Sequence, residues 1–131
     1  MNQYLYPEFP VLLVDDEDHF LNSMKITLKS NGITNVECCR DSRDVMKKLG
    51  EKKYSLILLD ILMPAYINGD KLLPGIIAGY RDIPVIMLTA TVVEEDKRKE
   101  YLNTGAVDYL EKTMPTEQLI NSVKDAISLK K

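Results

Sequence analysis

Short apolar runs recur along the chain and are separated by longer amphipathic stretches. Three of the runs are wholly apolar, with the sequences VLLV, LILL and VIML. Continuous apolar runs of this length are typical of parallel strands that are buried on both faces of a sheet. The pattern predicts strands at Val11–Val14, Val36–Cys39, Leu56–Leu59, Val85–Leu88 and Val107–Leu110.

Between these runs, apolar residues recur at helical spacing, which predicts five helices. Asn31-Gly32 is a stop signal for the first helix, Ser42 a candidate N-cap for the second, and Gly50 a candidate end for it. Pro74 is expected to fit only near the first turn of the third. The helices are predicted around Phe20–Leu28, at Arg43–Leu49, Asp70–Tyr80 and Glu94–Asn103, and from Pro115-Thr116 to Ile127.

Alternating strands and helices predict an α/β fold, with one open parallel sheet that helices cover on both sides. The length of 131 residues is that of one domain, and the sequence has no internal repeat or linker. We predict an N-terminal extension over residues 1–9 and a single domain over residues 10–131. The extension, with Tyr4, Tyr6 and Phe9, either packs on the sheet edge or is disordered, and the sequence leaves both possibilities open.

Composition narrows the class of protein further. The net charge of −3 predicts no direct contact with nucleic acid, because nucleic-acid binders usually present a basic face. No apolar run approaches the roughly 20 residues that span a bilayer, and no signal peptide is visible, so we expect a cytoplasmic protein without a membrane contact. Cys38 and Cys39 are adjacent and are expected to be reduced thiols. The single histidine, His19, excludes a multi-histidine metal site.

Polar residues follow the predicted strands at the edge of the sheet where ligands bind in open parallel sheets. Asp15 and Asp16 follow the first strand, Asp60 the third, Thr89 the fourth and Lys112 the fifth. The carboxylates, the hydroxyl and the ammonium are therefore expected to converge. The end of the second strand lies at the sheet edge and is expected to stay outside this group.

A cation is expected among these carboxylates, since two unit charges about 4 Å apart repel each other by about 4 kcal/mol near a protein surface. Oxygen ligands without cysteine or histidine favour Mg²⁺, which often shares its site with phosphate. Lys112 and Thr89 suit phosphoryl oxygens. A carboxylate in such surroundings can attack phosphorus, and Asp60 is the best candidate because it ends the central apolar strand.

Each of these residues also has an ordinary explanation. An acidic pair after a strand is usually a solvated turn, and an aspartate such as Asp60 is often a helix cap. Taken singly, Thr89 would be a β-branched strand residue and Lys112 an ordinary surface lysine. Tyr109 would be a half-buried aromatic residue that packs against its neighbours. Their joint order at successive strand ends is what favours a site.

Four segments contain the residues singled out above: Val11–Glu17, Leu56–Pro64, Val85–Ala90 and Gly105–Lys112. Together they resemble the receiver domain of bacterial two-component response regulators. The resemblance extends over nearly the whole chain, from Val11 to Ile127, and implies a flavodoxin-like, doubly wound sheet of five parallel strands in the order 2-1-3-4-5, with five helices.

The resemblance also implies a role for each residue of the metal site. Asp60 would accept a phosphoryl group from a sensor histidine kinase or a phosphotransfer protein. Asp16 would bind Mg²⁺ directly, Asp15 mostly through water, and Leu62 through its backbone carbonyl. Mn²⁺ is expected to substitute for Mg²⁺.

In such a domain, phosphorylation would change the shape of one face. Lys112 and Thr89 would contact the phosphoryl group, and Tyr109 resembles the family's switch aromatic. The face built from the fourth helix, fifth strand and fifth helix would then bind an effector protein, a missing output domain or a second copy of the chain. The domain would be a signalling module and no enzyme beyond self-catalysed phosphotransfer and dephosphorylation.

Two departures from the family pattern are visible. Thr113 stands directly after Lys112 where the family usually has proline, and the glycine at Gly69 comes one residue later than usual. The loop after Asp60 is therefore predicted to be longer. Leu62 is expected to flank the phosphoryl group and to hinder the hydrolytic water.

Alternatives from other classes fit less well. A haloacid-dehalogenase-like phosphatase would need a second aspartate where Leu62 stands, and a flavodoxin-like redox domain would need a Ser/Thr/Gly-rich loop in place of Asp15–Asp18. A pseudo-receiver, which would be a phosphorylation-independent interaction module, would typically lack one of the site residues. The kinase, the signal and the output stay open.

Overall fold

The computed structural model describes residues 5–129, which form one parallel sheet in the order β2-β1-β3-β4-β5. The strand order and the α/β fold predicted above are confirmed. The strands are β1 (Val11–Val14), β2 (Val36–Cys39), β3 (Leu56–Asp60), β4 (Val85–Thr89) and β5 (Asp108–Glu111). The helices are α1 (Asp18–Ser30), α2 (Val45–Glu51), α3 (Gly69–Gly79), α4 (Glu95–Thr104) and α5 (Thr116–Leu129).

The three central strands, β1, β3 and β4, are buried on both faces, which explains why their sequences lack polar alternation. Alternate residues of these strands point into two separate apolar layers. Leu12, Ile57 and Met87 belong to the layer that α2, α3 and α4 cover. The second layer, under α1 and α5, contains Leu13 and Leu58.

Two predictions about the second helix are wrong. Ser42 is not its N-cap: Ser42–Asp44 forms a 3₁₀ turn, which Asp41 caps by accepting a hydrogen bond from the Arg43 N–H at 2.9 Å. The Ser42 hydroxyl is buried and accepts from the Ile67 N–H at 2.7 Å instead. Gly50 lies inside α2, which continues to Glu51.

Pro74 also lies elsewhere than predicted, because α3 begins at Gly69 and Pro74 falls in its second turn. A proline there has no N–H to donate to the carbonyl of Asp70. The helix nevertheless continues to Gly79.

The described part of the N-terminal extension packs at the amino ends of the strands. The carbonyl of Tyr6 accepts from the N–H groups of Thr34 and Asn35, and the Ser55 hydroxyl donates to the Phe9 carbonyl at 2.6 Å. Residues 1–4 lie outside the described residues, and the domain boundary at residue 10 stays a prediction. Within residues 5–129, no helix is long and apolar enough to cross a membrane.

Candidate functional site

Three carboxylates meet at the carboxyl ends of β1 and β3. The two strands are parallel neighbours, so Asp15 and Asp16 after β1 lie beside Asp60 at the end of β3. One oxygen from each carboxylate lies within 4.8 Å of the others. Asp15 and Asp60 are buried, whereas Asp16 is half-buried at the mouth of the cluster. The predicted convergence of these three residues is therefore present.

Lys112 brings a cation to the same place from β5. Its Nζ lies 2.6 Å from Asp15 Oδ2 and 3.2 Å from Asp60 Oδ1, and its side chain is only 9% exposed. The peptide bond between Lys112 and Thr113 is trans. Replacement of the usual proline by Thr113 therefore does not turn the ammonium away from the carboxylates.

Burial raises the pKa values of the two buried carboxyl groups of the cluster. Burial, and secondly the charge of Asp15, raise the pKa of Asp60 to about 6, although Lys112 opposes them. Burial also raises the pKa of Asp15 against the effect of Lys112. For Lys112, burial alone would lower the pKa, but the two carboxylates outweigh it and the pKa is raised.

One carboxylate oxygen is left without a well-directed hydrogen bond. Asp15 Oδ2 is buried and has the Lys112 ammonium as counter-charge at 2.6 Å, but no donor points at it with good hydrogen-bond geometry. Three carboxylates facing one ammonium leave excess negative charge. Hard oxygen donors with such an excess fit a divalent cation such as Mg²⁺, so the residues present are chemically suited to it.

The remaining predicted residues lie at or behind the rim. The hydroxyl of Thr89, at the end of β4, accepts from the Thr91 N–H at 3.2 Å. The Leu62 side chain is 67% exposed on the loop after β3. Tyr109 is buried, and its ring contacts that of Tyr101 edge-to-face at a centroid distance of 5.2 Å.

Gly69 holds the loop after β3 against the strand that ends in Asp60. A Cβ at Gly69 would lie 2.1 Å from the backbone oxygen of Asp60, and the Gly69 N–H donates to the Ile61 carbonyl at 2.8 Å. No side chain fits at this position. The longer loop therefore returns to the sheet in close backbone contact.

Two neighbours of Lys112 were not predicted as part of the site. The ring centroid of Phe20 lies 4.5 Å from its Nζ, and Glu17 Oε1 lies 3.8 Å from it. Helical periodicity placed Phe20 in the apolar stripe of α1, and the sequence has no signal for its distance from Lys112. As expected, Arg40 and Asp41 lie outside the cluster and pair with Asp18 and Arg43.

Comparison with known proteins gives the family of the chain. The family model for the response regulator receiver domain matches residues 11–124. Regulatory protein VanRB of Enterococcus faecalis is 32% identical over 114 residues, which are 87% of this chain and 50% of that protein. The chain therefore spans about half the length of this curated relative.

Solved structures have the same fold. The receiver domain of a Francisella response regulator superposes with a TM-score of 0.84 at 27% identity, covering 95% of this chain and all of that one. Response regulator TrrA of Thermotoga maritima, solved in complex with Mg²⁺ and BeF, superposes with a TM-score of 0.77 at 27% identity. That match covers 90% of this chain and 98% of the other.

Proposed function

Since the chain belongs to the response regulator receiver domain family of two-component systems, we propose that it is a phosphorylation switch with Asp60 as the phosphoacceptor. The observation that carries this proposal is the position of Asp60. Its carboxylate lies beside two other aspartates and 3.2 Å from the Lys112 ammonium. Such a site can neutralise both the attacking carboxylate and the transferred group.

In the proposed reaction, a carboxylate oxygen of Asp60 attacks the phosphorus of a phosphohistidine. The new O–P bond forms as the P–N bond breaks, and the electron pair returns to the imidazole, which takes up a proton. The Lys112 ammonium binds one oxygen of the transferred group, and the Thr89 hydroxyl donates to another. Attack requires the ionised carboxylate, so the raised pKa of Asp60 makes an added cation important.

Asp16, Asp15 and Asp60, with the backbone carbonyl of Leu62, would hold Mg²⁺, or Mn²⁺ in its place. The bound ion would supply neutralisation of the charge on the phosphoryl oxygens. The TrrA structure with Mg²⁺ and BeF supports this assignment, because it belongs to a similar fold.

The response would appear on the face formed by α4, β5 and α5. Arg98 of α4 donates to the Tyr109 carbonyl at 3.1 Å and pairs with Asp108, so α4 is tied to the strand that carries Tyr109. Movement of Thr89 toward the phosphoryl group would alter this face and its affinity for an effector, an output domain or a second copy. The donor would be a sensor histidine kinase or a phosphotransfer protein.

Incubation with acetyl phosphate and Mg²⁺, followed by intact mass spectrometry, tests the proposal. The wild type should gain one phosphoryl group, and both the Asp60→Asn variant and a wild-type sample with EDTA should gain none. Absence of an adduct with acetyl phosphate and with a set of histidine kinases would favour the pseudo-receiver, a module that binds partners without phosphorylation.

A further inference from the structure

Asn68 stands at the N-cap of α3 but does not cap it with its side chain. Its backbone is extended, with φ −64° and ψ 147°, as an N-cap residue requires, yet its side chain accepts no hydrogen bond from the first turn. Instead, Asn68 Oδ1 accepts from the Met63 N–H at 2.8 Å, across the loop that follows Asp60. The carboxamide has therefore been diverted from the helix to this loop.

The Met63 N–H belongs to the same planar peptide unit as the Leu62 carbonyl. In a trans peptide the N–H and the C=O point in opposite directions, so fixing one fixes the other. The hydrogen bond from Asn68 therefore sets the direction of the Leu62 carbonyl. It also polarises that carbonyl, because hydrogen bonds through one peptide group strengthen each other.

Met63 is also held by its buried side chain and by its carbonyl, which accepts from the Tyr66 N–H at 2.9 Å. The hydrogen bond from Asn68 is the contact made to the N–H of the peptide itself. The Leu62 side chain is 67% exposed, so core packing does not hold it. The other loop hydrogen bonds act on neighbouring residues: Ile67 donates to the buried Ser42 hydroxyl at 2.7 Å, and Gly69 donates to Ile61 at 2.8 Å. These contacts fix Ile67 and Gly69 on either side of Asn68, and Asn68 in turn fixes the peptide between Leu62 and Met63.

We propose that Asn68 is a positioning residue for divalent-cation binding, which presets the Leu62 carbonyl as a ligand without touching the ion. The inference rests on the proposed function, in which this carbonyl binds the metal. Partners that orient a metal ligand typically change metal affinity by about 10–100-fold when they are removed. With one neutral ligand affected, the lower end of that range is expected.

The test is a Mg²⁺ titration of the full chain. Calorimetry measures the affinity, and NMR monitors the resonance of the Leu62 carbonyl carbon. Asn68→Ala, and Asn68→Leu with its similar volume, should bind Mg²⁺ about tenfold more weakly than the wild type. Asn68→Asp keeps the acceptor oxygen and adds negative charge, so it should bind at least as tightly as the wild type. In the wild type and Asn68→Asp, Mg²⁺ should shift the Leu62 carbonyl resonance.

Asn35→Ala is the matched control. Asn35 donates to the carbonyls of Pro7 and Glu8 at the opposite end of the sheet, so its removal should lower stability without changing Mg²⁺ affinity. Equal weakening in Asn35→Ala and Asn68→Ala would trace the effect to general destabilisation and overturn the inference.

Different results would contradict the proposed metal site and the proposed role of Asn68. A wild type that binds no Mg²⁺, or binds it without a shift at Leu62, contradicts the proposed metal site itself. A wild type that binds with the shift, together with unchanged affinity in Asn68→Leu or weakened affinity in Asn68→Asp, overturns only the role of Asn68. If the Ala and Leu variants fail to fold, hydrogen exchange of the wild-type Met63 amide tests its hydrogen bond to Asn68. Rapid exchange would overturn the role of Asn68.

Discussion

The ring of Phe20 lies against the ammonium of Lys112, with the ring centroid 4.5 Å from Nζ. Phe20 projects from α1, and Asp15 approaches the same ammonium from the β1 side at 2.6 Å. A cation over an aromatic face gains about 0.5–2 kcal/mol, with the larger values where water is excluded. Asp15 and the Phe20 ring therefore both restrain the Lys112 side chain. The restraint by the ring is important because Thr113, in place of the usual proline, follows Lys112.

Replacing Phe20 with leucine should slow phosphorylation of Asp60 by acetyl phosphate about 3- to 10-fold, since losing about 1 kcal/mol of restraint raises the barrier by a similar amount. Phe20→Tyr keeps an aromatic face and should react at nearly the wild-type rate. The rates are measured by intact mass at fixed Mg²⁺. Equal slowing in both variants would show that the ring acts through packing of α1 and not through the ammonium.

Asp60→Asn should stabilise the metal-free protein at pH 7.5. The pKa of Asp60 is near 6 in the folded chain and near 3.8 in the unfolded one. Between these values the folded state binds more protons, so its stability falls as the pH rises through this window. The full effect, about 3 kcal/mol for a shift of about two pH units, is present above pH 6.

Melting temperatures in EDTA at pH 7.5 and pH 3.5 check this expectation. The advantage of Asp60→Asn should be large at pH 7.5 and small at pH 3.5, where Asp60 is neutral in the folded state and mostly neutral in the unfolded one. Asp125→Asn, which removes an exposed carboxylate from α5, is the control and should change stability by less than about 0.5 kcal/mol. A stability advantage of Asp60→Asn that is equal at both pH values would mean that ionisation of Asp60 does not destabilise the folded state.

Much of the site was predictable because it follows from strand ends. A parallel sheet brings the carboxyl ends of its strands to one edge, so Asp15, Asp60 and Thr89 could be placed together from the apolar runs alone. Lys112 follows β5 by the same rule. The difference in exposure between the adjacent thiols, with Cys39 buried and Cys38 half-buried, also follows from strand geometry.

What escaped prediction depends on contacts between loops. Ser42 has the residue type of an N-cap, but its hydroxyl is used by Ile67, which is 25 residues away in the sequence. Asn68 likewise has the type and position of a cap, and its side chain binds Met63 instead. Local preference identifies both residues as hydrogen-bond acceptors. Only the folded loops determine which donor each one finds.

Gly69→Ala should unfold the chain readily, whereas Gly75→Ala in the same helix should not. The added Cβ at Gly69 would lie 2.1 Å from the Asp60 backbone oxygen, and the two main-chain segments cannot separate without moving Asp60. A loss of about 3 kcal/mol or more is expected. At Gly75 nothing lies within 4 Å of the added Cβ, so alanine should stabilise α3 by up to about 1 kcal/mol.

Urea denaturation of the two variants measures this difference. Similar stability of both would show that the loop relaxes around a side chain at Gly69, and the close backbone contact would then not be required. Phosphorylation of Gly75→Ala should remain at the wild-type rate, because that position is exposed and the added methyl group meets no neighbour within 4 Å.

Leu62→Asn should shorten the lifetime of the phosphorylated state. Leu62 lies two residues after Asp60, and its side chain is 67% exposed at the rim, where it can cover the approach of the hydrolytic water. An asparagine there offers a donor and an acceptor that can orient that water. One such hydrogen bond, worth about 0.5–1.5 kcal/mol, corresponds to hydrolysis about 2- to 10-fold faster.

The dephosphorylation rate is measured by intact mass after removal of the phosphodonor, with Mg²⁺ present throughout. Leu62→Met is the control, since it keeps an apolar cover of similar size and should hydrolyse at the wild-type rate. The group proposed to bind the metal at this position is the backbone carbonyl, so both variants should keep the wild-type Mg²⁺ affinity. Equal hydrolysis rates in the wild type and Leu62→Asn would exclude Leu62 as the group that hinders the hydrolytic water. Residues at the rim near Thr91 would then be the next candidates for that role.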